Sequence, residues 1–113
     1  MPWTTLCSLD ELSEGAAKYV EIGGYRLAVF LHQGKPHVLD NYCPHAGGSM
    51  AGGYIEDGCA VCPWHNWPFR LDTGELKGSS AVRIAVYASR VSSHENSPPM
   101  VEADIPRAIP AFR

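Results

Sequence analysis

The chain has 113 residues, 45% of them apolar, with nine basic and twelve acidic side chains and a formal charge of −3. That length suits one domain spanning 1–113, and the composition is globular, which excludes a disordered chain, a collagen-like repeat and a coiled coil. No basic excess is present to displace counterions from nucleic acid, and no run approaches the roughly 18–20 apolar residues of a bilayer span, so neither nucleic acid nor a membrane is an expected partner.

Met1–Asp10 has neither the basic nor the apolar region of a signal peptide, which makes the cytoplasm the expected compartment. There, four cysteines are ligands or buried thiols rather than a disulfide framework. Leu6, Leu9 and Leu12 fall at spacing three among Asp10, Glu11 and Glu14, which suits either one helical turn or a polar loop over a strand edge. From Ala17 the pattern is of strand type. Tyr19–Ile22 leads into Gly23-Gly24, a two-residue hairpin signal. Tyr25–Leu31 follows, then a turn at Gln33–Pro36 and a third strand at His37–Leu39.

The segment Tyr42–Gly78 holds three of the four cysteines, two histidines, seven glycines and three prolines. Short β pieces are expected at Tyr54–Glu56, Ala60–Val61 and Phe69–Leu71, separated by turns at Glu56-Asp57-Gly58 and Asp72-Thr73-Gly74. Ala81–Val91 is strand-like, with Val82, Ile84 and Val86 alternating against Arg83, Ala85 and Tyr87. The Pro-rich last twenty residues leave room for one strand near Met100–Ala103. Eleven glycines and nine prolines fit many turns and short strands. The expectation is an all-β antiparallel sandwich, with Val82–Tyr87 joining the sheet of Tyr19–Ile22, Tyr25–Leu31 and His37–Leu39.

Chemistry concentrates in two pairs. Cys43-Pro44-His45 is a C-x-H pair and Cys62-Pro63-Trp64-His65 a C-x-x-H pair, with sixteen residues between His45 and Cys62. Neither completes a site alone; together they supply two thiolates and two imidazoles. Zinc accepts such a set in a tetrahedron, although familiar zinc motifs place both cysteines before both histidines. A 2Fe–2S cluster with two thiolates on one iron and two imidazoles on the other fits the alternating order. Each proline after a cysteine stiffens its loop, and Gly47, Gly48, Gly52 and Gly53 permit close backbone approach and left-handed turns.

The stretch from about Asn41 to Gly78 resembles the Rieske iron–sulfur motif. The two pairs carry the likeness, with Ala46-Gly47-Gly48, Gly52-Gly53-Tyr54 and Phe69–Glu75 around them. The resemblance implies a Rieske-like antiparallel β-sandwich with a small cluster-binding subdomain at about 41–78. It further implies one 2Fe–2S cluster held by Cys43, His45, Cys62 and His65. Domains of this group from respiratory cytochrome complexes tie their loops with a disulfide, and the equivalent positions here are Gly48 and Trp64. Their sulfur-directed hydroxyls are also missing, since Asn66-Trp67 and Phe69 stand at those places. Fewer donors to sulfur stabilise the reduced cluster less, which implies a low potential.

His65-Asn66-Trp67 with Asp72–Glu75 is similar to the small subunit of assimilatory nitrite reductase, and Rieske ferredoxins of oxygenase systems are near neighbours. The implied function is carriage of one electron from a flavoprotein reductase to a terminal oxygenase or reductase. The alternatives are a subunit of a nitrite reductase-type enzyme and a structural zinc module. No general base or nucleophile is evident, so no catalytic residue is assigned.

Among the remaining residues, Cys59 forms a C-x-x-C with Cys62, but reads as a strand residue facing away from the site. Cys7 reads as a buried thiol, and His32, His37 and His94 as surface or strand-end residues. Trp64 and Trp67 must lie near the site, whether they shield it, meet a partner or simply pack.

Overall fold

The computed structural model describes residues 3–44, 48–64 and 66–105. Among them are twelve strands: β1 (Trp3–Ser8), β2 (Ala17–Ile22), β3 (Tyr25–His32), β4 (Lys35–Asp40), β5 (Tyr54–Glu56), β6 (Cys59–Val61), β7 (Pro68–Arg70), β8 (Glu75–Leu76), β9 (Ser79–Arg83), β10 (Val86–Tyr87), β11 (Ser89–Ser92) and β12 (Met100–Asp104). They form three antiparallel sheets with strand orders β1-β12-β11, β10-β4-β3-β2 and β5-β6-β7-β8-β9. The expected all-β antiparallel sandwich is what the chain adopts.

The four-stranded sheet lies between two cores. On one face Leu27, Val29 and Val38 pack with Val20, Val101 and Ala103. On the other, Ala28, Phe30 and Leu39 pack with Met50, Ala60, Phe69, Ile84 and both Cys43 and Cys62. Leu27 to Phe30 are all fully buried. A strand covered on both sides reads as a continuous apolar run rather than an alternation.

Three two-residue turns have the positive φ angles of type I′ hairpins: Gly23-Gly24, Gln33-Gly34 and Asp57-Gly58. Lys35 and Pro36, expected in the second turn, instead begin β4, with Pro36 opposite Leu31. The first of the three leucines lies in β1 and the second opens a single 3-10 turn, Leu9–Glu11, closed by reciprocal hydrogen bonds between Ser8 and Glu11. Met100–Asp104 is the expected strand.

One expectation is corrected. Val82–Tyr87 is not a single strand of the four-stranded sheet. Ser79–Arg83 joins the five-stranded sheet through Glu75 and Leu76, and only Val86–Tyr87 pairs with β4. Between them the Ile84 N–H donates to the Gly74 carbonyl at 2.8 Å, and the Ala85 carbonyl accepts from Asp40 N–H at 3.0 Å. The chain crosses there from one sheet to the other, and Ile84 drops into the second core.

Candidate metal centre

Two loops of equal length meet at one end of the five-stranded sheet. Residues 43–48 span the antiparallel bridge between Tyr42 and Ser49, and Cys43 N–H donates to the Gly48 carbonyl at 2.9 Å. Residues 62–67 span the paired Val61 and Pro68, and Cys62 N–H donates to the Trp67 carbonyl at 2.9 Å. Each loop opens on Cys-Pro and closes through the cysteine's own amide. His45 and His65 fall at the third and fourth places of their loops; both lie outside the described residues, as do Ala46 and Gly47.

The bases of the loops are fixed independently. Asn41 N–H donates to the Arg26 carbonyl at 2.9 Å, and its own carbonyl accepts from Met50 N–H at 2.8 Å. Its side-chain oxygen accepts from Ala51 N–H at 2.8 Å, while its amide nitrogen donates to Ser49 Oγ at 3.0 Å. Asn41 thus ties the exit of β4 to the 3-10 turn Met50–Gly52, a role that its residue type alone did not signal. The second loop turns at Asn66, whose φ of +58° is a left-handed conformation that asparagine tolerates. Gly53 admits no side chain, because a Cβ there would lie 1.9 Å from the carbonyl oxygen of Val61, the residue before Cys62. Gly48 and Gly53 therefore serve close approach; neither they nor Gly52 has a positive φ.

Cys43 and Cys62 are fully buried, and their thiols are within hydrogen-bonding reach of each other. Burial pushes the Cys62 thiol up to about 11, against the pull of the Trp64 N–H directed at its sulfur and with a further push from Cys43. No cationic side chain offsets that push. The Cys62 thiol therefore stays protonated until a cation arrives to bind thiolate, and binding expels the proton. Among the described residues no three metal-ligating side chains converge. The donor set they supply is these two thiols, reduced and facing one another, which fits the sulfur half of a 2Fe–2S site with thiolate on one iron.

Cys59 is also buried, yet faces away: its neighbour Ala60 enters the core with Cys43 and Cys62, while Cys59 borders a cavity of about 370 Å³ shared with His32, His37 and Asp72. Cys7 is a buried thiol in the first core. His94 is exposed, and His32 lies at the end of β3. The two tryptophans differ: Trp67 packs against the second core, whereas Trp64 is 56% exposed.

The Rieske [2Fe-2S] domain family matches residues 2–88. The ferredoxin component of the alkene monooxygenase system of Xanthobacter autotrophicus is 30% identical over 74 residues, covering 65% of this chain and 61% of that protein. A solved Mycobacterium tuberculosis structure assigned as the small subunit of an NADH-dependent nitrite reductase superposes with a TM-score of 0.78 at 28% identity, covering 93% of this chain and 96% of that one. The ferredoxin of Sphingomonas yanoikuyae B1 gives 0.75 at 26% identity, covering 93% and 100%. The chain also matches far longer proteins, spanning 15% of a cholesterol 7-desaturase from Ciona intestinalis. With its paired loops, its facing thiols and a family match over most of its length, the chain belongs to the Rieske [2Fe-2S] domain family, with a 2Fe–2S cluster as cofactor.

Proposed function

We propose that the chain is a one-electron carrier in which Cys43 and Cys62 hold one iron and His45 and His65 the other. The observation that carries this reading is the pair of equal loops whose cysteines face each other in a dry core, each followed within three residues by a histidine. A bound 2Fe–2S cluster supplies one reversible electron. The protein's own part is to bury the sulfurs among Met50, Phe69 and Leu39, to aim the Trp64 amide at Cys62, and to hold both loops against rigid strands.

The electron passes from a flavoprotein reductase to a terminal oxygenase or reductase, a reading supported by the ferredoxin relatives. The cytoplasm suits four free thiols. Residues 1–113 form one Rieske domain, with a cluster-binding subdomain at about 41–78. The likeness to a nitrite reductase small subunit favours a second reading, in which the same electron is delivered within a permanent enzyme complex. Purification from the native host separates the two, because a subunit elutes with its enzyme at fixed stoichiometry and a carrier elutes alone.

Ligation is tested by His45→Ala. Loss or gross alteration of the visible and electron-paramagnetic spectra is expected. Spectra identical to those of the unaltered protein would overturn the assignment.

A further inference from the structure

The two loops touch each other through one unusual contact. Gly48, at the end of the first loop, has no side chain, and the space where its Cβ would stand is taken by the second loop. A Cβ built there would lie 2.9 Å from Trp64 Cγ, 3.2 Å from Trp64 Cδ1 and 3.1 Å from Cys62 Sγ. The root of the indole thus rests on the bare backbone of Gly48, beside the Cys62 sulfur. Trp64 is 56% exposed, so part of the residue is covered although it projects from a loop. The same residue's amide is directed at that sulfur, so Trp64 meets Cys62 from its backbone and meets Gly48 from its ring.

We propose that Trp64 is a positioning residue whose indole, seated on Gly48, latches the first loop to the second and covers the Cys62 sulfur from water. The proposal rests on the reading of Cys62 as an iron ligand. Close packing on backbone makes the latch sensitive to very small changes. Cγ is the first atom of the side chain beyond Cβ, so it moves only if χ1 rotates or the backbone shifts, and either displaces the whole ring. A single methyl at position 48 would therefore unseat it. An apolar cover over a ligand sulfur also controls solvent access and local dielectric, and with them the potential. Opening the cover lets water stabilise the more negative reduced state, so the potential rises.

The test uses the loaded protein and the variants Trp64→Ala, Trp64→Phe and Gly48→Ala. Two readouts are taken: the rate at which EDTA bleaches the visible absorbance, and the midpoint potential at pH 7. Trp64→Ala and Gly48→Ala should both bleach several-fold faster and shift the potential upward. Trp64→Phe, which keeps a flat ring over Gly48, should return both readouts toward those of the unaltered protein. A purely structural role would not produce that shared rise in potential and its recovery by phenylalanine. Should Trp64→Ala take up no iron while Trp64→Phe does, the latch is supported. Unchanged bleaching and potential in Trp64→Ala, or a Trp64→Phe protein as impaired as Trp64→Ala, would overturn it. Cys62→Ser is run alongside, and an unaltered spectrum there would refute the ligand reading itself, separately from the latch.

Discussion

Gly74→Ala and Gly58→Ala form a controlled pair, because the two glycines share a left-handed backbone and differ in the space around them. Their φ angles are +80° and +75°. Around Gly58 an added Cβ meets nothing within 4 Å, whereas at Gly74 it would stand 2.1 Å from the Ile84 carbonyl oxygen and 2.8 Å from Val86 Cγ2. Left-handed backbone costs an L-residue about 1–2 kcal/mol, and both variants incur that. Overpacking against a backbone carbonyl adds about 1–3 kcal/mol, and only Gly74→Ala incurs it. The loss of unfolded-chain freedom on replacing glycine offsets both equally. At this chain length one kcal/mol moves a melting midpoint by roughly 4 °C. With that offset at about 0.4–1 kcal/mol, Gly58→Ala should lower it by about 0–6 °C and Gly74→Ala by about 4–18 °C. Thermal melts followed by far-ultraviolet circular dichroism measure both. Equal losses would refute the reasoning, since the crossing of the chain at Ile84–Ala85 would then not depend on the missing side chain.

Cys59→Ala should keep the visible spectrum, because the thiol points away from Cys43 and Cys62; loss of the spectrum would show that it belongs to the site. Phe69 packs in the core with both cysteines and brings no hydroxyl to sulfur, so the midpoint potential should lie near the lower end of the roughly −150 to +300 mV range of Rieske centres. A clearly positive value by voltammetry at pH 7 contradicts this. Three carboxyls lie below their ordinary range: Glu11 through the Ser8 amide and hydroxyl, Glu14 through the Gln33 and Gly34 amides, and Asp72 through the Arg70 guanidinium. Each binds its proton more readily in the unfolded chain, so the stability it confers is present above the ordinary carboxylate pKa and lost as pH falls through the folded value. The melting midpoint should drop on acidification below about pH 4.5, and Glu14→Gln should flatten part of that drop; a profile parallel to that of the unaltered chain would show the Glu14 contacts to be inert.

Local signals were readable and tertiary ones were not. Gly23-Gly24 and Asp57-Gly58 declare their hairpins because positive φ at two successive positions demands such residues. The Tyr25–Leu31 run declares a strand, though not that both its faces are covered. The alternation of Val82, Ile84 and Val86 is genuine, yet it runs unbroken across a change of sheet, because the crossing is set by contacts with Gly74 and Asp40 far away in sequence. At the candidate site, the coming together of Cys43 and Cys62 was legible from ligand chemistry and spacing, and the turning away of Cys59 from its character as a small apolar strand residue. The tying of the loop base by Asn41 and the seating of Trp64 on Gly48 were not, because hydrogen-bond partners and close approaches are properties of the assembled chain.

The three-stranded sheet carries a consequence for the order of assembly. It pairs Trp3 with Asp104 and Ser8 with Met100, so it joins stretches near opposite ends of the described chain. The strands that frame the two loops lie between Tyr25 and Arg83. During synthesis, the hairpins and the five-stranded sheet have all their strands in hand before β12 emerges. The facing thiols can thus be brought together, ready for iron, while Leu27, Val29 and Val38 still lack the cover that Val101 and Ala103 provide. Closure of that last sheet is the slow, non-local step, and a nascent chain stalled before it would expose an apolar sheet face while already holding its metal-binding loops.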